Sequence, residues 1–339
     1  MAERLIRAAL VVVFTLLVAT IACAEDTATL GTAVTEMVAM RDGVHLATDL
    51  YFPEGDGPWP VILMRTPYNK NGAAKYGAIA SGNGFVLAAQ DMRGRHASEG
   101  ANLPFIACGW GEHQDGYDTI AWLHGQEWCN GRIGTVGGSA LGITQNLMAP
   151  TGPPGLTAQH IGVAVSSLYH QAAYQGGAQR KSQVEGWLTN TGFDPEALRL
   201  YREHPDYDDF WRQFNIAERI GEINTPAVHI GGWFDTFSQG TIDSYLLRQH
   251  QGGEGARGRQ WLVMGPWTHS TGKLIVGQVE FPKNAESVPG PRSAGGMPRS
   301  KRSCWRSIIV AKDISRTLPG RWQRVHVRWS AGKARRASS

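Results

Sequence analysis

The sequence predicts an α/β fold, a mostly parallel sheet with helices packed against it. Continuous apolar runs bounded by turn residues recur at 61–64 and 85–89, and such runs suit strands covered on both faces. Helix-like stretches at 73–80 and 118–123 alternate with these runs, as in a sheet built by crossover connections. Residues 133–145 then read as strand, tight turn and helix, with Ser139 at the turn.

The chain is 339 residues long, more than one average domain, so a large core with an insertion or a second domain is expected. Arg4 and Arg7 precede an apolar run over 8–21, and Ala22-Cys23-Ala24 precedes Glu25-Asp26. A basic start, a short apolar centre and an Ala-x-Ala end predict an export signal over 1–24, cleaved after Ala24. The expected location is therefore secreted or periplasmic, with no stable membrane insertion after cleavage; a spanning helix needs about 20 apolar residues. A lipoprotein anchored through Cys23 is the other reading, and Thr20 stands where that signal wants an aliphatic residue.

Beyond the signal, β-prone runs at 35–39 and 44–51 flank Asp42-Gly43, a hairpin turn dipeptide. Pro58 and Pro60 lead into the run at 61–64, and later strands are expected at 162–165, 227–230 and 261–264. Between 166 and 222 the pattern becomes helix-like, charged and aromatic, with Trp187, Tyr201, Tyr207, Phe210 and Trp211. This predicts a helical cap inserted between two parts of one core, 25–165 and 223–285.

Regularity ends near 286. Residues 291–339 hold 13 Lys and Arg against one acid, Asp313, whereas the whole chain carries only +4. A basic tail that seeks nucleic acid has such a composition. The abrupt change, with neither repeat nor amphipathic period, predicts instead a basic irregular tail over 286–339 from a shifted reading frame, and no nucleic-acid partner.

Of the four cysteines, Cys23 would leave with the signal and Cys304 lies in the basic tail. Cys108 and Cys129 could close a disulfide worth about 3 kcal/mol, or remain buried thiols; the spacing leaves both open. No Cys/His cluster has zinc spacing and H-E-x-x-H is absent, so neither metal nor cofactor is expected.

A serine at a strand-to-helix turn has its hydroxyl pushed out of the sheet, beside the free N–H groups of the helix start. Here the following small residue is Gly142, three places after Ser139, where a G-x-S-x-G elbow has it two after. The run at 227–230 leads into Gly231-Gly232-Trp233-Phe234-Asp235, and the run at 261–264 into Gly265-Pro266-Trp267-Thr268-His269. Each places a titratable side chain just past the C-terminal end of a strand, where an open α/β sheet presents its site. In that order Ser139 attacks, Asp235 orients and His269 carries the proton.

Together with Met64-Arg65-Thr66-Pro67-Tyr68-Asn69-Lys70, Gln90-Asp91-Met92-Arg93-Gly94-Arg95, Gly137-Gly138-Ser139-Ala140-Leu141-Gly142 and Tyr174-Gln175-Gly176-Gly177-Ala178, these segments resemble the X-Pro dipeptidyl-peptidase, cocaine esterase and α-amino-acid ester hydrolase family over about residues 33–285. The resemblance implies an α/β-hydrolase fold and an oxyanion hole formed by the Tyr68 hydroxyl and the Ala140 N–H. It also implies that Phe237 lines the acyl pocket. Asp91, Arg93 and Arg95 are expected to brace a loop. The family usually carries tyrosine where this chain has Ala140, and its C-terminal β-sandwich is expected to be missing here. The expected activity is cleavage of a small ester or short peptide through an acyl-serine; the alternative is a truncated, inactive binding protein.

Overall fold

The computed structural model describes residues 32–285 and the pair Arg335 and Arg336. The expected export signal, Cys23, Cys304 and nearly all of the basic tail lie outside the described residues.

Eight strands form one sheet: β1 (Val34–Ala39), β2 (His45–Tyr51), β3 (Trp59–Thr66), β4 (Val86–Asp91), β5 (Cys129–Gly138), β6 (Leu156–Gly162), β7 (Ala227–Gly232) and β8 (Gln260–Gly265). Their spatial order is β1-β2-β4-β3-β5-β6-β7-β8. Only β2 runs against the others; every pair from β4 to β8 is parallel. This is an α/β-hydrolase fold, and its strand C-termini converge on one rim.

The pleat explains why the apolar runs at 61–64 and 85–89 are continuous. Val61 and Leu63 of β3 pack with Val86, Ala88, Ile120 and Leu123 on one face, while Ile62 and Met64 pack with Leu87, Ala89 and Ala80 on the other. The covering helices include α1 (Ala74–Ser81), α2 (Asp115–His124) and α3 (Ala140–Met148), the last against β5 and β6. Asp115 and Asp118 in the first turn of α2 complement its dipole.

The strand expected at 162–165 lies earlier, at Leu156–Gly162. Val163 has φ 40°, which turns the chain out of the sheet. Gln159 and His160 disguise β6 as a polar segment.

Between β6 and β7 the chain makes a largely helical excursion, with α4 (Lys181–Thr191), α5 (Pro195–Glu203) and α6 (Asp209–Arg212). Its aromatics form one cluster in which Trp211 is fully buried, edge-on to Tyr201 and Phe214. The Trp211 indole donates to the His204 carbonyl at 2.7 Å, so its polar atom is satisfied within the cluster. After β7, α7 (Ser238–Gln251) returns along the sheet and packs on β7 and β8. Cys108 and Cys129 are both buried free thiols, and burial pushes the Cys108 thiol up to about 11. Among the described residues no helix is long and apolar enough to cross a membrane.

Candidate active site

Ser139 stands between β5 and α3 with φ 57° and ψ −126°, a conformation that a side-chain-bearing residue rarely adopts. Its N–H donates to the Gly162 carbonyl at 2.9 Å, and its carbonyl accepts from Gly142 and Ile143, each at 2.9 Å. The elbow is thus anchored to the end of β6 and starts the helix at the same time. A Cβ at Gly142 would lie 2.7 Å from Ala164 Cβ and 2.9 Å from the Gly162 carbonyl oxygen. The close crossing of helix and neighbouring strand falls three residues after Ser139, which accounts for the displaced glycine. Beneath the elbow, Gln145 Nε2 donates to the Gly137 and His160 carbonyls at 3.2 Å each, and Gln145 Oε1 accepts from Thr135 Oγ1 at 2.7 Å.

The loops after β7 and β8 are laced together. Trp233 and Phe234 donate their N–H groups to the Gly265 and Trp267 carbonyls, both at 2.9 Å. A Cβ on Gly232 would meet the Trp267 carbonyl oxygen at 2.1 Å, so that dipeptide must be open for the loops to approach. The lacing brings Asp235 Oδ1 within 2.7 Å of His269 Nδ1, and His269 Nε2 within 2.8 Å of Ser139 Oγ. A carboxylate only accepts, so Nδ1 carries the proton and Nε2 is left to accept from the serine hydroxyl. Solvent sees the two partners differently: the Asp235 side chain is 0% exposed and the His269 side chain 41%. Asp235 Oδ2 has no hydrogen-bond partner among the described residues. The arrangement can move a proton from hydroxyl to imidazole while holding the ring in one tautomer.

Phe237 packs edge-on against the His269 ring, with centroids 5.3 Å apart. Ala140 is the first residue of α3, and its N–H is among those a helix cannot satisfy internally. Tyr68 is half exposed, and its hydroxyl accepts from Trp187 Nε1 at 3.0 Å. Asp91, Arg93 and Arg95 brace loops. Asp91 Oδ1 accepts from the Lys70 N–H at 2.7 Å, Arg93 pairs with Asp42 and Asp115, and Arg95 Nε donates to the Pro67 carbonyl at 3.0 Å. Arg93 also holds the Asp42 carboxyl down at about 2, chiefly through their hydrogen bond.

Two further contacts near the site come from residues that the sequence did not mark for this place. Arg180 donates to Thr236 Oγ1, which in turn donates to Gln183 at 3.1 Å, so α4 and the residue before it grip the loop between Asp235 and Phe237. Burial lowers the Arg180 pKa, and the Asp235 charge opposes that shift. Their partners lie more than fifty residues away along the chain, and no local pattern signals such a pairing. Among the described residues no group of three or more His, Cys, Asp or Glu side chains gathers that could hold a metal ion.

A family model described as X-Pro dipeptidyl-peptidase (S15 family) matches residues 42–199 and 189–271. The chain belongs to this family. The cocaine esterase of Rhodococcus sp. (strain MB1 Bresler) is 32% identical over 286 residues, covering 69% of this chain and 48% of the relative. The chain therefore spans about half the length of that esterase. A CocE/NonD family hydrolase from Staphylococcus aureus superposes with TM-score 0.58 at 24% identity, covering 70% of this chain and 47% of its own. An aminopeptidase from the marine sediment archaeon Thaumarchaeota archaeon superposes with TM-score 0.59 at 23% identity, covering 76% and 52%. At these identities the structural likenesses bear on the fold alone. The family is one of ester and peptide hydrolases.

Proposed function

We propose that this chain is an exported serine hydrolase that cleaves a small ester or short peptide through an acyl-Ser139 intermediate, with residues 166–222 as a cap over the site. The reading rests on one observation above all: the His269 ring spans Ser139 at 2.8 Å and Asp235 at 2.7 Å. Ser139 Oγ attacks the acyl carbon as its proton passes to His269 Nε2. The tetrahedral intermediate collapses when His269 returns that proton to the leaving oxygen or nitrogen. Water then repeats the sequence and frees the acid. Asp235 steadies the imidazolium. The Tyr68 hydroxyl and Ala140 N–H are assigned to the oxyanion, each contributing about 3 kcal/mol to the transition state. Phe237 is assigned to the acyl side because its ring adjoins His269.

A fluorophosphonate probe should form a single adduct on Ser139 in the full-length protein, and Ser139→Ala should lower ester turnover by about 10⁶-fold. Folded protein that neither takes the probe nor turns over p-nitrophenyl esters would overturn the reading and leave an inactive, binding protein.

A further inference from the structure

Tyr68 does not stand alone at the rim. The indole Nε1–H of Trp187 is a donor only, so at 3.0 Å the phenol oxygen must be the acceptor. A phenol O–H prefers the plane of its ring, which offers it two directions. A donor on one side of the oxygen leaves the other side for the proton. Trp187 is itself held: its ring stacks on Phe105 at 5.6 Å with an interplanar angle of 8°, and lies 5.0 Å from Phe193. Phe105 has φ 65°, an uncommon backbone for an aromatic residue, and this presents its ring to the indole.

Arg95 fixes the relative position of the two partners' backbones. It is buried, its Nε donates to the Pro67 carbonyl beside Tyr68, and its Nη1 donates to the Gly192 carbonyl at the end of α4 at 2.8 Å. The guanidinium also covers the Phe193 ring at 4.6 Å. One side chain thus ties the loop that carries Tyr68 to the helix that carries Trp187.

We propose that Trp187 is a positioning residue for Tyr68: its indole N–H fixes the direction of the phenol proton and, by donating to the same oxygen, makes that proton a stronger donor. The inference rests on the assignment of Tyr68 to the oxyanion. Trp187 acts through Tyr68, so its contribution exists only while the tyrosine hydroxyl is present.

The test is a double-mutant cycle in the full-length protein with p-nitrophenyl acetate as substrate. Trp187→Phe keeps a ring on Phe105 and removes the N–H; it should lower kcat about five- to tenfold, the worth of one hydrogen bond, with KM within about twofold. Tyr68→Phe should lower kcat by about 10²-fold, and the double variant should match Tyr68→Phe alone. Three results overturn the inference: Trp187→Phe with unchanged kcat, a loss confined to KM, or the same proportional loss in the Tyr68→Phe background. Tyr68→Phe with unchanged kcat overturns the oxyanion assignment, and this inference with it. Should Trp187→Phe fail to fold by near-ultraviolet circular dichroism, replacing Trp187 with benzothienylalanine, the same shape without the N–H, gives the same reading.

Discussion

At the rim of the sheet a buried carboxylate, Asp235, meets an imidazole at 2.7 Å. Beneath α3 a fully buried guanidinium, Arg248, meets only neutral groups: Nη1 donates to Gln159 Oε1 and Nη2 to Asn146 Oδ1, both at 2.7 Å. Asn146 also accepts from Ser244 Oγ at 3.1 Å and donates to the Val165 carbonyl at 2.8 Å, while Gln159 Nε2 donates to the Gln145 carbonyl at 3.0 Å. Both clusters hold a charged group out of water, and they differ in what answers the charge. At the rim the answer is a second titratable group that can change its own charge during a reaction. In the core it is a set of amide oxygens that cannot. The first arrangement suits chemistry, and the second suits holding the underside of α3 in place.

The sharpest way to break this contrast is at the rim. Asp235→Asn preserves shape but offers His269 Nδ1 an amide that can donate, which favours the wrong tautomer. Ester turnover is expected to fall about 10⁴-fold. The melting temperature should move by only a few degrees, because Asp235 Oδ2 makes no hydrogen bond to lose. A large loss of stability with modest loss of turnover would reverse the roles assigned to the two clusters.

The core cluster should respond the opposite way. Asn146→Leu leaves Arg248 Nη2, Ser244 Oγ and the Val165 carbonyl without their partner. Removing one partner of a buried charge costs about 3–5 kcal/mol, read as a shift in the denaturant midpoint. Adding Arg248→Met removes the charge whose solvation was lost, so the double variant should recover part of that stability. A double variant less stable than Asn146→Leu alone would mean that the guanidinium contributes packing rather than an electrostatic burden.

The two clusters were also unequally legible in the sequence. Ser139, Asp235 and His269 each follow a β-prone run, and a strand end is a local signal, so their convergence could be argued from chain order. The displaced Gly142 was visible as an anomaly, but its cause, the nearness of Ala164 and Gly162, is a property of two packed elements. Arg248 could not be found in this way. It sits in Ser-Tyr-Leu-Leu-Arg-Gln-His-Gln at the end of α7, a stretch that reads as a solvated helix end, and its partners lie 89 and 102 residues away. Gln159 and His160, polar residues on β6, likewise hide that strand in the sequence and favour the apolar run that follows it. The Trp187 to Tyr68 contact spans 119 residues; the resemblance marks Tyr68 for the oxyanion, but Trp187 reads as one aromatic among several in the helical segment, and nothing local pairs the two.

The mildest probe connects the core charge to pH. His229 is fully buried on β7, its Nε2 3.1 Å from Gln260 Oε1, which accepts from that nitrogen; Nδ1 has no partner among the described residues. Burial, and after it the positive charge of Arg248, pushes the imidazole down to about 3. In the unfolded chain histidine titrates near its usual value of about 6.5. Between those two values the unfolded state binds a proton that the folded state refuses, so stability is lost as pH falls through this window. The loss is about 2 kcal/mol by pH 5. His229→Gln should flatten that part of the stability profile, measured by denaturant midpoints between pH 7 and 5. Arg248→Met should change that stretch little, because burial, the larger cause, still holds the folded imidazole down. Equal slopes in the parent and His229→Gln proteins would show that the buried imidazole is not what makes the core sensitive to acid.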